Sequence, residues 1–273
     1  MAYQYPNLWQ GCVGAWCPSV DRSRSTLLTD FSGRGNNGLL TGMDPGTDWV
    51  ASNDKIALDF NMAETNRVVT TFNSTKLYDL SRVTISVWFR ARSSGEGLVG
   101  RLLDCKEATG FSISNQNSTS SYAFWLNGTN LTFSHDGTTF GHVACVYDSN
   151  SSSKIAYSNG KVANQATQTG LLTADVQPLI FGDRYSSYRR FDGILDDIRI
   201  YNRALTPSEV AQLASRRGVA YTPMPRRRVY IMGSGGGTRG LRLGSTTINK
   251  AYLGSTEIKK VYLGATLIHD TTG

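Results

Sequence analysis

The sequence predicts an all-β protein whose main body is a sandwich or barrel of short strands. Residues 1–205 consist of β-rich runs separated by clusters of Gly, Asn, Ser and Asp, and helical periodicity is almost absent there. The run Val83–Phe89 alternates apolar and polar residues, which is typical of a strand with one buried face. A chain of 273 residues with 40% hydrophobic and 18% charged residues is long enough to build one such core.

Strands are predicted wherever a β-rich run ends at turn residues, because glycine and asparagine favour the positive φ values of tight turns. The predicted strands are Ala57–Phe60, Val83–Phe89, Gly110–Ser114, Tyr122–Leu126, Leu131–Ser134, Val143–Tyr147, Lys154–Ser158, Leu179–Phe181 and Ile194–Tyr201. Trp88 and Trp125 lie on predicted strands and are expected in the core. Trp9, Trp16 and Trp49 lie near loops and are expected to pack at the edge of the sandwich.

One helix is predicted directly after the last strand. Thr206 is a suitable N-cap, Pro207 fits the first helical position, and Glu209 completes a capping box with Thr206. An apolar stripe with helical spacing follows within Val210–Ala214 and can pack on the sandwich. The two arginines and the glycine of Arg216–Gly218 favour the end of the helix.

The sequence shows no membrane-spanning or secretory segment. It contains no apolar run of 18 residues, and its first ten residues lack the basic and apolar parts of a signal peptide, so we expect a cytosolic origin. Cys12, Cys17, Cys105 and Cys145 have no zinc-type spacing. Free thiols are expected in a cytosol, although Cys12 and Cys17 could form a disulfide if oxidised.

The positive charge is concentrated at the C-terminal end. Residues 216–273 contain ten Lys and Arg against two acidic residues, a net +8, whereas residues 1–215 contain 18 against 19, a net −1. Residues 216–240 are predicted to be a basic linker rich in Pro and Gly. In residues 241–273 the motif Leu-Gly-Ser/Ala-Thr recurs every ten residues, and each repeat is predicted to form one turn and one strand. Such short strands need a partner surface to be stable. The predicted sandwich domain therefore spans residues 1–215.

Several segments of the body form an ordered set of motifs. They are Asp30–Gly38, Ala57–Phe60, Val83–Phe89, His142–Asp148, Tyr157–Gly160, Pro178–Gly182 and the most specific one, Phe191–Val210, with the sequence FDGILDDIRIYNRALTPSEV. In this order, over about residues 8–214, they resemble the laminin-G-like domains of the concanavalin-A-like lectin family. The resemblance implies a two-sheet antiparallel jelly-roll sandwich with one short C-terminal helix, and it implies sugar binding as the usual function.

The resemblance also implies a candidate calcium site. Asp30, Asn36 and Asp197 match family positions that can lie close to one another, and calcium prefers carboxylate and amide oxygens. The alternative is that Asp30 and Asn36 build a tight turn, since such side chains hydrogen-bond to their own backbone. The sequence leaves both interpretations open, and calcium is the one cofactor that it suggests.

The loop after the strand Leu179–Phe181 is the candidate sugar-binding segment. It carries Tyr185, Tyr188, Arg189 and Arg190, an aromatic and polar set of the kind that lectin loops use. The alternative is an ordinary polar surface loop with exposed tyrosines.

Catalysis is not expected. Glycosidases need two carboxylates that flank the scissile bond. The best candidates, Asp192, Asp196 and Asp197, fit the structural Asp-Asp-Ile-Arg strand of the family better than a catalytic motif. The chain also has no nucleophile-elbow motif and no phosphate-binding loop.

The basic C-terminal end is the candidate partner-binding segment. Its candidate residues are Arg226, Arg227, Arg228, Lys250, Lys259 and Lys260. They could contact nucleic-acid phosphates, but no nucleic-acid motif accompanies them, so an acidic protein surface is the preferred partner.

The ten-residue repeat resembles tails of bacteriophage structural proteins. Together with the lectin-like body it predicts a virion surface protein, either head decoration or head fibre or tail-associated, which is assembled in the host cytoplasm. Such a protein would display its sandwich domain for adhesion to host glycans. Its tail would anchor it to other virion proteins, and the protein is expected to form a homo-oligomer through the tail. The alternative is a free bacterial carbohydrate-binding module or adhesin.

Overall fold

The chain divides into two units, Met1–Pro223 and Met224–Gly273, which are considered separately. The computed structural model describes residues 3–53, 55–77, 79–105, 110–185 and 189–223, and in the second unit residues 241–243, 246–248, 251–253, 256–258, 260–263 and 266–270. Residues 216–223 pack into the first unit, where Arg217, Val219 and Tyr221 are buried. Among the described residues, no helix is long and apolar enough to cross a bilayer.

Sixteen strands occur in the described part of the first unit. They are β1 (Cys12–Trp16), β2 (Leu27–Leu28), β3 (Gly38–Thr41), β4 (Trp49–Ser52), β5 (Lys55–Phe60), β6 (Arg67–Thr70), β7 (Arg82–Ala91), β8 (Arg101–Cys105), β9 (Phe111–Asn115), β10 (Ser121–Leu126), β11 (Thr129–Ser134), β12 (Gly141–Asp148), β13 (Ser153–Ser158), β14 (Lys161–Thr167), β15 (Ile180–Phe181) and β16 (Gly193–Tyr201). The helix α1 spans Pro207–Leu213, and short 3₁₀ turns span Pro6–Trp9, Ser74–Lys76, Glu96–Leu98 and Val219–Tyr221.

The strands form two antiparallel sheets of eight strands each. The first sheet has the order β14-β13-β12-β7-β16-β5-β4, and β1 also pairs with β16. The second sheet has the order β11-β10-β9-β8-β15-β6-β3-β2. This arrangement confirms the predicted jelly-roll sandwich with one helix.

The main core lies between the two sheets. Trp16 of β1 is fully buried there, with its ring centroid 5.1 Å from that of Phe181 and 6.3 Å from that of Phe72. Trp49 is buried in the same cluster. The expectation that Trp16 packs at the edge was therefore wrong, because strand pairing carries it inward, whereas Trp49 lies on β4, the last strand of the first sheet, with its ring buried against the core.

A second, smaller cluster covers the other face of the first sheet. It joins the sheet to α1, to the N-terminal 3₁₀ turn and to residues 219–221 through side chains such as Leu8, Tyr201, Val210 and Leu213. The helix begins as predicted, because the Thr206 hydroxyl oxygen accepts a hydrogen bond from the Glu209 amide and the Glu209 carboxylate accepts one from the Thr206 amide. The outer face of the first sheet is therefore occupied by the protein's own elements.

The second unit contains three short antiparallel hairpins among its described residues. They pair β17 (Leu241–Leu243) with β18 (Thr246–Ile248), β19 (Ala251–Leu253) with β20 (Thr256–Ile258), and β21 (Lys260–Leu263) with β22 (Thr266–Asp270). Each hairpin follows the ten-residue period of the sequence.

Candidate functional site

A row of polar and aromatic side chains crosses the outer face of the second sheet. Phe124 and Leu126 of β10 point into the core, and because successive side chains of a strand alternate, Trp125 lies on the opposite face. Trp125 is opposite Ser112 of β9, and Ser112 is opposite Asp104 of β8. Three neighbouring strands thus place these side chains in one row. Trp125 is half-buried there and not in the core, contrary to the sequence-based expectation.

Arg101 completes this arrangement. Its guanidinium carbon lies 5.8 Å from the centroid of the Trp125 ring, which is cation–π geometry. Its Nε lies 3.3 Å from Oδ2 of Asp104. We refer to Arg101, Asp104, Ser112 and Trp125 as the outer-face site.

Among the described residues, several buried polar atoms of the outer-face site have no hydrogen-bond partner. Besides Nε of Arg101, which lies 3.3 Å from Oδ2 of Asp104, two such atoms are Oγ of Ser112 and Nη1 of Arg101. On the same strand as Ser112, Ser114 accepts a hydrogen bond from Nε2 of Gln116 at 3.2 Å. Native proteins leave few buried polar atoms unpaired, so the two atoms are available to a bound polar group.

Positive charge surrounds the outer-face site. Burial lowers the pKa of Arg101, the Asp104 carboxylate acts in the opposite direction, and the positive charges of Arg184 and Arg189 lower it further. Three arginines therefore interact around one buried carboxylate.

The loop between β15 and β16 borders the site. The Arg101 amide donates a hydrogen bond to the Arg189 carbonyl at 2.8 Å, and Arg101 forms an isolated bridge with Arg190. Tyr185, in the same loop, is 50% exposed. The loop between β15 and β16 carries three of the predicted ligand residues, Tyr185, Arg189 and Arg190. The structure places this loop against the outer face of the second sheet. The fourth, Tyr188, lies outside the described residues.

Asp183 anchors the beginning of this loop. Its Oδ1 accepts hydrogen bonds from the amides of Arg184 at 2.8 Å and Arg189 at 3.3 Å. Burial raises the pKa of Asp183, while those hydrogen bonds and the charges of Arg67 and Arg190 lower it. Arg190 in turn lies 3.8 Å from the Glu96 carboxylate, so charged groups of both signs fix the loop on the sheet.

The predicted calcium loop is filled by protein donors. Oδ1 of Asp30 accepts hydrogen bonds from the amides of Ala15 and Ser32, and Oδ2 accepts them from the Ser32 hydroxyl and the Asn36 amide. These four bonds use all the lone pairs that a carboxylate offers. This geometry matches the alternative interpretation, in which Asp30 builds a tight turn.

Asn36 and Asp197 are also engaged. Oδ1 of Asn36 accepts a hydrogen bond from the Lys76 ammonium at 2.6 Å. The Asp197 carboxylate pairs with Nε of Arg199 at 2.9 Å and accepts the Gly218 amide at 2.8 Å. All three side chains therefore already have partners within the protein. Among the described residues no group of three or more His, Cys, Asp or Glu could hold a metal, and calcium binding stays a prediction.

The carboxylates considered for catalysis lie elsewhere, in and beside β16. Asp192 pairs with Nη1 of Arg92 at 2.6 Å. Asp196 is fully buried, and burial together with the neighbouring Asp197 raises its pKa to about 6. Oδ2 of Asp196 lies 3.5 Å from Nη1 of Arg217, so this carboxylate is paired with the segment that follows α1.

The candidate partner-binding residues of the tail lie where no side chain is described. Arg226, Arg227, Arg228, Lys250 and Lys259 lie outside the described residues, and of Lys260 only the backbone, at the start of β21, is described.

The outer-face site was not predicted from the sequence, although the sequence carries part of its signal. Alternation along β10 already separates Trp125 from the apolar Phe124 and Leu126. What the sequence could not supply is the register that aligns Trp125 with Ser112 and Asp104, because this depends on pairing between different strands.

Comparison with known proteins agrees with this fold. Residues 63–211 match the family model described as the concanavalin A-like lectin/glucanases superfamily. The chain belongs to this superfamily. The match begins before β6 and ends within α1, so it covers β8, β9 and β10, which carry the outer-face site. A search of curated proteins finds no match.

Solved toxin structures share the fold of this lectin-like chain. The binding domain of Paraclostridial Mosquitocidal Protein 1 is 20% identical, with a TM-score of 0.58, over 76% of this chain and 52% of that one. The receptor binding domain of botulinum neurotoxin C/D mosaic serotype is 13% identical, with a TM-score of 0.60, over 76% and 51%. A structure concerning cell entry of botulinum neurotoxin type C through two ganglioside molecules is 15% identical, with a TM-score of 0.56, over 77% and 52%. The chain thus spans about half the length of each.

Proposed function

We propose that this protein is a non-catalytic glycan-binding module whose outer-face site holds the sugar. The observation that carries the proposal is the position of Trp125 beside Arg101, Asp104 and Ser112, on a sheet face that no helix covers among the described residues. Sugar rings have apolar faces and polar edges, so a half-buried aromatic ring next to a few fixed polar groups suits them. The superfamily and the toxin binding domains with the same fold support a binding function.

Binding is favoured over hydrolysis because the buried carboxylates at this face are engaged by cations or by backbone amides. Asp104 pairs with Arg101, and Asp183 accepts two loop amides. A glycosidase needs two carboxyl groups that are free to flank the scissile bond. We infer that these two carboxylates instead hold the sheet and loop in shape.

Replacing Trp125 with alanine is expected to weaken glycan binding about tenfold or more, because hot-spot aromatic side chains carry much of the binding energy. The measurement is binding of the full-length chain and the variant to an array of cell-surface glycans. Trp88→Ala is the matched control, since Trp88 is also half-buried but lies on the first sheet, where its ring stacks on Phe140. Equal losses in the two variants would count against the outer-face site.

We infer further that the basic C-terminal unit anchors the module to acidic virion proteins, as a homo-oligomer on the surface of a phage particle. The net charge of +6 in residues 224–273, eight Lys and Arg against two acidic residues, and the ten-residue repeat support this inference. A free bacterial carbohydrate-binding module or adhesin is the second candidate, and the lectin-like superfamily favours it equally.

A chain that ends after Pro223 is expected to lose retention on purified shell and tail proteins of the candidate phage, while the full chain is retained. Residues 216–223 stay in this variant because they pack on the sandwich. Retention of the full chain is expected to fall as salt is raised, since salt screens exposed charges. If both chains bind equally, or neither binds, the free module is the better description.

A further inference from the structure

The outer-face site and its border carry more positive than negative charge. Among the described residues, the charged groups that interact there are Arg67, Arg101, Arg184, Arg189 and Arg190 against Glu96, Asp104 and Asp183. The formal excess is +2. Since the remainder of residues 1–215 has 13 Lys and Arg against 16 acidic residues, a net −3, this positive excess is a local property of the sheet face.

Burial makes this excess unfavourable for the unbound protein. The Arg101 side chain is only 12% exposed, and its ion pair with Asp104 is 3.3 Å long. Nε of Arg67, Nη1 of Arg101 and Nε of Arg190 are all buried without a hydrogen-bond partner among the described residues. Burying a charged group costs free energy unless the group is paired and hydrogen-bonded. An anion bound beside these guanidinium groups would therefore reduce the free-energy cost of their burial.

Ser112 supplies a second group for the same anion. It lies on β9 between Asp104 and Trp125, it is fully buried, and its hydroxyl has no partner among the described residues. A serine hydroxyl can donate one hydrogen bond, and a guanidinium donates in a plane that suits carboxylates and sulfates.

We propose that the glycan bound at the outer-face site is acidic, and that its carboxylate or sulfate group accepts hydrogen bonds from Nη1 of Arg101 and Oγ of Ser112. This inference rests on the proposed function, because the sugar ring of the same ligand packs on Trp125. Both donor atoms are buried in the unbound protein, so binding of the acidic group requires the Arg101 side chain to move.

The test compares each neutral oligosaccharide with its sialylated and its sulfated form, using the full-length chain. One or both acidic forms are expected to bind about tenfold tighter than the neutral form, since hydrogen bonds to charged groups are the stronger ones. The preference is expected to shrink at high salt. Equal affinity for neutral and acidic forms would overturn the proposal.

The sharpest variant is Ser112→Ala. It removes a hydroxyl that has no partner, so the melting temperature is expected to stay the same, while affinity for the acidic glycan falls about tenfold. Arg101→Gln is expected to remove the preference for acidic forms. Ser120→Ala, at an exposed turn position between β9 and β10, is the matched control and is expected to bind like the natural chain.

The outcomes separate this inference from the proposed function. In one outcome, Trp125→Ala abolishes glycan binding, while neither the charge of the glycan nor Ser112→Ala changes the affinity. Glycan binding at this face would then stand, and the proposal of an acidic ligand would be wrong. If the full chain binds no glycan in any form, the proposed function fails and the inference fails with it.

Discussion

Replacing Arg199 with leucine is expected to lower the free energy of unfolding by about 3–5 kcal/mol. Arg199 is fully buried in β16. Its guanidinium carbon lies 4.8 Å from the ring centroid of Trp9 and 4.7 Å from that of Tyr221. Its Nε donates to Oδ1 of Asp197 at 2.9 Å. Without the guanidinium, the Asp197 carboxylate would remain buried without its counter-ion, which is the costliest part of the change.

Urea unfolding of the full chain, followed by tryptophan fluorescence, measures this loss. A matched fall in the melting temperature of roughly 6–20 °C is expected for a domain of this size. Arg82→Leu is the control, because the Arg82–Asp79 pair lies at the surface, where such ion pairs contribute little to stability. If Arg199→Leu costs no more than Arg82→Leu, the stacked arginine does not hold the N-terminal segment and residues 216–223 on the sheet.

The free energy of unfolding is expected to fall as the pH decreases from about 6.5 to 4. Burial lowers the pKa of His142 to about 3 and that of His135 to about 4. Their rings hydrogen-bond to Ser86 and Ser158, each at 2.8 Å. In the unfolded chain both histidines bind a proton near pH 6.5, whereas the folded chain keeps them neutral. The stability from these histidines is therefore complete above pH 6.5 and is lost on acidification.

Asp196 opposes this trend. Burial raises its pKa to about 6, so the folded chain binds a proton there more readily than the unfolded chain, and its contribution improves as the pH falls from 6 towards 4. Asp183 acts in the same direction as Asp196, because burial raises its pKa too. Two histidines therefore act against two carboxyl groups, and a net loss of stability is expected by pH 4 because the pKa values of both histidines are strongly lowered.

The test is a series of urea unfolding curves between pH 4 and 7 for the natural chain and for His142→Gln. Each histidine contributes a slope of up to about 1.4 kcal/mol per pH unit. The variant is therefore expected to have lower stability at pH 7 and a pH dependence that is shallower by about that amount. Identical slopes for the two chains would show that His142 is protonated in the folded state or is not buried.

The sandwich could be predicted because its buried strands repeat a simple alternation. Val83–Phe89 became the centre of β7, and the capping box at Thr206 marked the start of α1. β14 was missed because Lys161–Thr167 is exposed throughout and carries no apolar alternation. β1 was missed because Cys12–Trp16 is buried on both faces and contains a glycine, so it has no alternation either.

The candidate site was harder to predict than the fold. The loop with Tyr185, Arg189 and Arg190 was identified from its composition, and it does border the sheet face. Trp125 was assigned to the core because a tryptophan on a strand usually packs inward. Alternation with Phe124 and Leu126 sets its face, whereas its polar neighbours follow from the pairing of β10 with β9 and of β9 with β8. Sequence patterns describe one strand at a time, whereas a site on a sheet face is defined across strands.

Amide hydrogen exchange of the full chain, with and without the tightest glycan from the array, tests the central claim most directly. Binding at the outer-face site is expected to slow exchange in Arg101–Cys105, Phe111–Asn115 and Ser121–Leu126, and in the described part of the loop between β15 and β16. Protection confined to α1, to β13 and β14 or to the C-terminal unit would contradict the account.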